Sequence, residues 1–205
     1  MNIIKALRRF SLKNKDITIF TNNCLAGFIY QSYGLKYSSP TIGINIEPMD
    51  FIKFCKNYEY YLNQEIFETK EYNQDWFYSI GGGNINFPVG KLGDITLYFQ
   101  HANSFEEAVK DWNRRKKRVN YNNIFIILFD TEPTDLVYNA FKEINSKNKL
   151  YLYHKGIILT DPNTFYIKNF EKTGRKWWGR MNRLNPFSKK YFEQFNYTKW
   201  FNTNC

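Results

Sequence analysis

What this sequence has little of narrows its class before any motif is read. Its three cysteines, Cys24, Cys55 and Cys205, are far apart and odd in number. They have no C-x-x-C spacing, which excludes a disulfide framework and a cysteine zinc site and fits a reducing compartment. Long apolar runs are missing too: the longest, residues 124–129, is far below the ~20 residues of a membrane-spanning helix. The first ten residues interleave Lys5, Arg8 and Arg9 with apolar side chains and never build the apolar core of a secretory signal. Repeats and low-complexity segments are absent. These gaps predict a cytoplasmic protein, and 205 residues suffice for one domain with a substantial core.

Aromatics are plentiful, at 20% of the chain. They travel with abundant Asn, Lys and Ile, a sign of base composition, so no ring chemistry is read from them. The net charge of +10 is unevenly placed. Residues 1–15 carry five basic groups and no acid, residues 168–205 carry nine basic and two acidic groups, and the intervening body is close to neutral. Two basic ends on a neutral body predict an anionic partner. In the first segment Ile3, Ile4, Leu7 and Phe10 recur at helical spacing opposite Lys5, Arg8 and Arg9, and later Trp177-Trp178 sits among Arg175, Lys176 and Arg180. That mixture suits an anionic membrane surface met through 1–15 and 171–205, which would place the protein peripherally at the inner membrane face. The alternative is an ordinary surface helix whose apolar stripe packs on the protein's own core.

Short apolar runs alternate with helical patterns. Strands are predicted at 16–20, 41–46, 76–80, 94–99, 124–129, 150–153 and 157–160, and helices at 25–33, 50–62, from Ser104 through Trp112, 133–144 and 188–195. Ser104-Phe105-Glu106-Glu107 is a capping box, and Asp50 is the expected N-cap of the 50–62 helix. Strands separated by helices predict an α/β fold, a three-layer, mostly parallel sheet with flanking helices: one domain over 1–170 plus a basic aromatic C-terminal arm over 171–205.

In such sheets ligands gather outside the carboxyl ends of the strands. The polar turn after the first strand, Asn22, Asn23 and Cys24, leads into a helix whose free N–H groups suit a phosphate or carboxylate; Asn23 reads equally as a helix cap. After the central strand, Asp130 and Glu132 resemble the paired carboxylates that hold a divalent cation in glycosyltransferases, while the same residues serve as a helix start. Arg114, Arg115 and Arg118 with Trp112 form a candidate clamp for phosphate or uronate groups, or a solvated charge run favoured at a helix C-terminus. His101, with Asp94 and Asp130, is a candidate catalytic group, and His154 with Lys155 a candidate substrate contact. No sequence pattern pairs either histidine with a nucleophile. Cys24 at a helix start is a possible nucleophile, though buried structural cysteine is commoner. No nucleic-acid motif accompanies the basic run, which argues against nucleic acid.

Taken together, Thr21 to Cys24 with Gly27, Tyr37 to Pro40, Pro48 to Phe51, Phe87 to Ile95, Trp112 to Arg118 and His154-Lys155 resemble a bacterial exopolysaccharide biosynthesis protein family whose domain has no assigned function. The likeness spans residues 16–160. It implies a polysaccharide-synthesis setting, with sugar-modifying or acyl-transferring labels, rather than a mechanism. The expected activity is therefore a sugar-modifying transferase with a phosphorylated or anionic sugar substrate (sugar phosphate, nucleotide sugar or uronate) and a divalent cation as the one cofactor suggested; the alternative is a non-catalytic adaptor at the membrane.

Overall fold

The computed structural model describes residues 3–156, 158–168, 170 and 190–203. In chain order the first half runs α1 (Ile3–Phe10), β1 (Thr18–Thr21), α2 (Leu25–Tyr33), α3 (Pro48–Lys56), α4 (Tyr58–Asn63), β2 (Ile66–Glu68), α5 (Gln74–Ser79), β3 (Val89–Leu92) and β4 (Ile95–Tyr98). It continues with α6 (Phe105–Lys116), β5 (Ile124–Asp130), α7 (Asp135–Lys142), β6 (Lys149–Tyr153), β7 (Thr164–Tyr166), a 3-10 turn at Tyr191–Glu193 and α8 (Tyr197–Thr203).

The main sheet has the order β1-β5-β6-β7 and every neighbour pair in it is parallel. All seven residues of β5 are buried, as an uninterrupted apolar run requires when both faces are covered. Ile124, Ile126 and Leu128 join a core with α3, α4, α6 and α7. Phe125, Ile127 and Phe129 face the opposite core, with α2, the 3-10 turn and α8. Helices thus cover both faces and the α/β, three-layer architecture holds. The Tyr191–Phe201 region is part of that second core: Phe201 lies edge-on to Phe125 at a centroid distance of 4.8 Å. Residues 171–189, with Trp177 and Trp178, lie outside the described residues.

Several local expectations are corrected. A second, antiparallel sheet, β2-β3-β4, stands beside the parallel one; its strands are three or four residues long and β2 is edge-exposed. Residues 41–46 form no strand but a turn with one bridge, Asn45 to Tyr98, because Gly43 takes a left-handed φ of 77° that breaks extension. Residues 76–80 fall largely in α5, capped by Asn73, whose side chain accepts from the Trp76 N–H at 2.9 Å. The 50–62 helix is two helices broken at Asn57, starting with Pro48 at its first turn. Asp50 instead accepts the Thr96 N–H at 2.9 Å, tying α3 to β4. The capping box is shifted by one residue: Ser104 accepts from Glu107 N, but the Glu107 carboxylate reaches back to Asn103 N. Residues 158–160 are not a strand; β7 follows later.

The first helix settles the fate of the apolar stripe. Ile3, Ile4, Leu7 and Phe10 are 76, 58, 63 and 87% exposed, while Arg8 pairs with Glu193 at 3.1 Å and Arg9 donates to the Gly34 carbonyl. The basic side is fastened to the body and the apolar side faces out, the reverse of a core-packed surface helix. Cys24 and Cys55 are free and buried. No helix among the described residues is long and apolar enough to cross a membrane.

Candidate functional site

The exit of β1 builds the site. Asn22 bridges to β5 with both ends of its amide: Oδ1 accepts the Phe129 N–H at 2.9 Å and Nδ2 donates to the Phe129 carbonyl at 3.1 Å. Thr21 Oγ1 donates to the Asn23 carbonyl at 2.7 Å and accepts from Ala26 N at 3.3 Å, and Asn23 Oδ1 accepts from Leu25 N at 3.0 Å. The first N–H groups of α2 are therefore taken by the turn itself, which corrects the expectation of free donors for an anion there. What the turn delivers is Cys24, at the start of α2.

Cys24 is 7% exposed, and its Sγ lies 3.0 Å from Nε2 of His101. His101 follows β4 and is surface-exposed. Burial pushes the Cys24 thiol up to about 12 and holds the His101 imidazole below its ordinary range. Both resting groups are consequently neutral near pH 7: a hydrogen-bonded thiol and imidazole rather than a thiolate–imidazolium pair. The backbone N–H of Cys24 makes no hydrogen bond among the described residues.

The pair opens on a cavity of about 420 Å³ lined by α2, the 42–44 turn, the segment after β4 and the inner face of α6. Trp112 and Arg115 line it, with Glu107 and Asp111. Arg115 donates to Asp111 at 2.6 Å and to the Ile42 carbonyl at 2.6 Å. Its Nε and the Trp112 Nε1 are buried without a hydrogen-bond partner among the described residues, a cost that a water or ligand acceptor would offset. The rest of the arginine cluster is occupied elsewhere: Arg114 pairs with Asp111 at 2.6 Å and Arg118 donates to the Tyr37 carbonyl at 3.2 Å. One cation beside two carboxylates is a weak selector for anions.

A second, smaller cavity of about 210 Å³ lies outside the carboxyl ends of β1 and β5. Asn22, Asn23, Asp130 and Glu132 line it, as do Asn45, Glu47 and Trp76. Asn23 and Asn45 on this side are the chain neighbours of Cys24 and Ile44 on the other. The turns after β1 and β5 thus converge, Asn22 and Asp130 sharing this cavity, while Arg115 belongs to the other. Asp130 is 2% exposed; its carboxylate accepts the Tyr151 hydroxyl at 2.7 Å and the Glu132 N–H at 3.1 Å, and burial raises its pKa. Glu132 turns to Lys155, 2.6 Å away. The two carboxylates face different partners, and among the described residues no group of three or more His, Cys, Asp or Glu is placed to hold a metal ion.

Five candidates line neither cavity: Arg114 and Arg118, engaged as above, and Asp94, His154 and Lys155. Asp94 sits at the far end of β4 from His101, bonded to Tyr61 and Lys53 at 2.6 and 3.1 Å, contacts that lower its pKa. His154 is buried against Phe170, ring centroids 4.2 Å apart, and Lys155 holds Glu132. Sequence reasoning missed Asn45, Glu47 and Trp76, which come from a turn, a helix start and a short helix with no shared pattern.

A family model described as a domain of unknown function (DUF1919) matches residues 1–202. The match extends past residue 160 at one end and includes the first helix at the other. An uncharacterised protein of Haemophilus influenzae is 30% identical over 204 residues, covering 98% of this chain and 90% of that protein.

Proposed function

The chain belongs to the DUF1919 family, and from that premise we propose that it is a sugar-modifying transferase of bacterial exopolysaccharide or capsule synthesis, working by covalent acyl transfer through Cys24. The observation that carries this reading is the 3.0 Å contact between Cys24 Sγ and His101 Nε2 at the wall of a 420 Å³ cavity. A nucleophile beside a base, opening on a cavity, is the arrangement that splits group transfer into two easier steps. In the first, Sγ attacks the carbonyl of an ester or thioester as His101 takes the thiol proton; the leaving group departs with that proton and an acyl-enzyme remains. In the second, an acceptor hydroxyl gives its proton to His101 and attacks the acyl carbon, and the C–S bond breaks to restore the thiol. The unbonded Cys24 N–H is the candidate donor for the oxyanion in both steps. The polysaccharide setting rests on the motif resemblance, and the charge lining the cavity favours a neutral over an anionic substrate.

The test is acyl-enzyme trapping. Incubation with a simple aryl acetate or acetyl thioester, followed by intact-mass and peptide analysis, is expected to find one acetyl group on Cys24 in the native protein and none in Cys24→Ala. A native protein that stays unmodified while the ester is intact, or an adduct elsewhere with Cys24 untouched, overturns the reading.

A second reading, an adaptor peripheral to the inner membrane, is favoured by one observation: the outward apolar face of α1 beside cations. Such a face inserts at a headgroup boundary. It predicts flotation with anionic vesicles at low salt, lost in Leu7→Glu/Phe10→Glu; absence of flotation removes it.

A further inference from the structure

The smaller cavity contains neither member of the thiol–imidazole pair, and its wall is chemically one-sided. Trp76 and Phe129 supply its aromatic lining, and the Trp76 indole is held against Tyr98 with ring centroids 5.0 Å apart. Around it the polar groups mostly accept. Asp130 already holds the Tyr151 hydroxyl and the Glu132 N–H. Glu47 holds the Tyr98 hydroxyl at 3.0 Å and the Asn73 amide at 3.2 Å. Asn45 spends its Nδ2 on Gln100 at 2.5 Å, leaving a carbonyl. The spare donor is Asn23: it is 6% exposed, its Oδ1 is engaged by Leu25 N, and its Nδ2 has no partner among the described residues.

The charge argues against an ionic ligand. Neither Asp130 nor Glu47 forms an ion pair among the described residues; their oxygens are met by neutral donors, and burial raises both carboxyls. A phosphate or carboxylate ligand would meet two carboxylates in a partly desolvated space. The remaining lone pairs suit O–H donors, and the buried Asn23 amide wants one acceptor. A ligand with several hydroxyls, ring oxygens and an apolar C–H face for an indole meets all of these at once.

We propose that this cavity is a binding site for a neutral pyranose, with Trp76 stacked on the ring, Asp130, Glu47 and Asn45 accepting from its hydroxyls, and Asn23 donating to it. As a binding site it stands whether or not Cys24 transfers acyl groups. Its role as the acceptor site, one wall away from the thiol, rests on the proposed function.

The experiment titrates the full chain, labelled at the tryptophan indole nitrogens, with a panel of methyl hexopyranosides, and with inorganic phosphate and spermidine as ionic controls. The Trp76 signal is assigned through Trp76→Phe. The expected result is a saturable shift of the Trp76 signal with at least one hexoside, equal in Cys24→Ala, and an affinity by calorimetry weakened about tenfold in Trp76→Ala and in Asp130→Asn. No hexoside shift at Trp76 in the native chain overturns the site, as does affinity unchanged in both variants, or phosphate or spermidine binding there more tightly than any hexoside. Sugar binding with no acyl-enzyme keeps this site and removes the acyl-transfer reading; an acyl-enzyme with no sugar binding does the reverse.

Discussion

The two cavities differ in kind although chain neighbours line both. The larger has a neutral thiol and imidazole in contact and one arginine already balanced by acids. The smaller has carboxylates, amides, hydroxyls and an indole, and neither cysteine nor histidine. Under the two proposals, reactivity and recognition would be separated by a wall of a few residues. One three-residue turn serves both sides: Asn22 locks it to β5, Asn23 faces the smaller cavity, and Cys24 faces the larger. Such a turn can be rigid because the Asn22 amide ties it to β5 and its side chains take the first N–H groups of α2, so neither cavity depends on a ligand to hold its shape.

The comparison breaks most visibly at Cys24. Its change to Ala is expected to lower acyl-transfer turnover at least about 10³-fold, and His101→Ala about 10²–10⁴-fold, while Asp130→Asn leaves acylation by a small ester near native. If Asp130→Asn abolished acylation and Cys24→Ala did not, the roles of the two cavities would be exchanged. Next come the walls, which are also core: Trp112→Ala on the larger side and Phe129→Ala on the smaller should each cost about 3–5 kcal/mol in denaturant unfolding. A cost under about 1 kcal/mol for either would mean that its wall is not packed as described.

A smaller effect separates the arginines. Arg115, which bonds Asp111 and the Ile42 carbonyl, should lose about 1–3 kcal/mol on change to Ala, and the more exposed Arg114 under about 0.5 kcal/mol; equal losses would erase the distinction between a cavity residue and a surface charge. The smallest concerns pH. His101 accepts a proton only when neutral, and its pKa lies below the usual value of about 6.5, so acylation should rise with pH through a limb under that value and flatten above it. With the thiol up to about 12, iodoacetamide at pH 8 should modify Cys24 at least about tenfold more slowly than free cysteine. Fast alkylation at pH 6 would instead indicate a standing thiolate–imidazolium pair.

Much of the fold was legible because its signals are local. The apolar run of β5, the stripe of α6 with its Ser104 cap, and α2 with identical bounds are set by periodicity and capping, which need only near neighbours. Boundaries drifted where a single residue overrode the pattern, as with left-handed Gly43 and the break at Asn57. The antiparallel sheet escaped notice because its strands are too short to establish alternation. At the site, Cys24, His101, Trp112 and Arg115 were each singled out, but for scattered reasons, and Asp94, His154 and Lys155 looked equally promising.

Composition and periodicity alone established an α/β chain with a buried central strand, no disulfide framework and basic ends, because burial and helix formation follow from residue type and spacing. Tertiary structure alone decided that Cys24 meets His101 across 77 positions, that Asn22 and Arg115 part company, and that α1 turns its apolar side outward. Those outcomes depend on how whole elements dock, and a docking angle leaves no mark in the residues that it brings together.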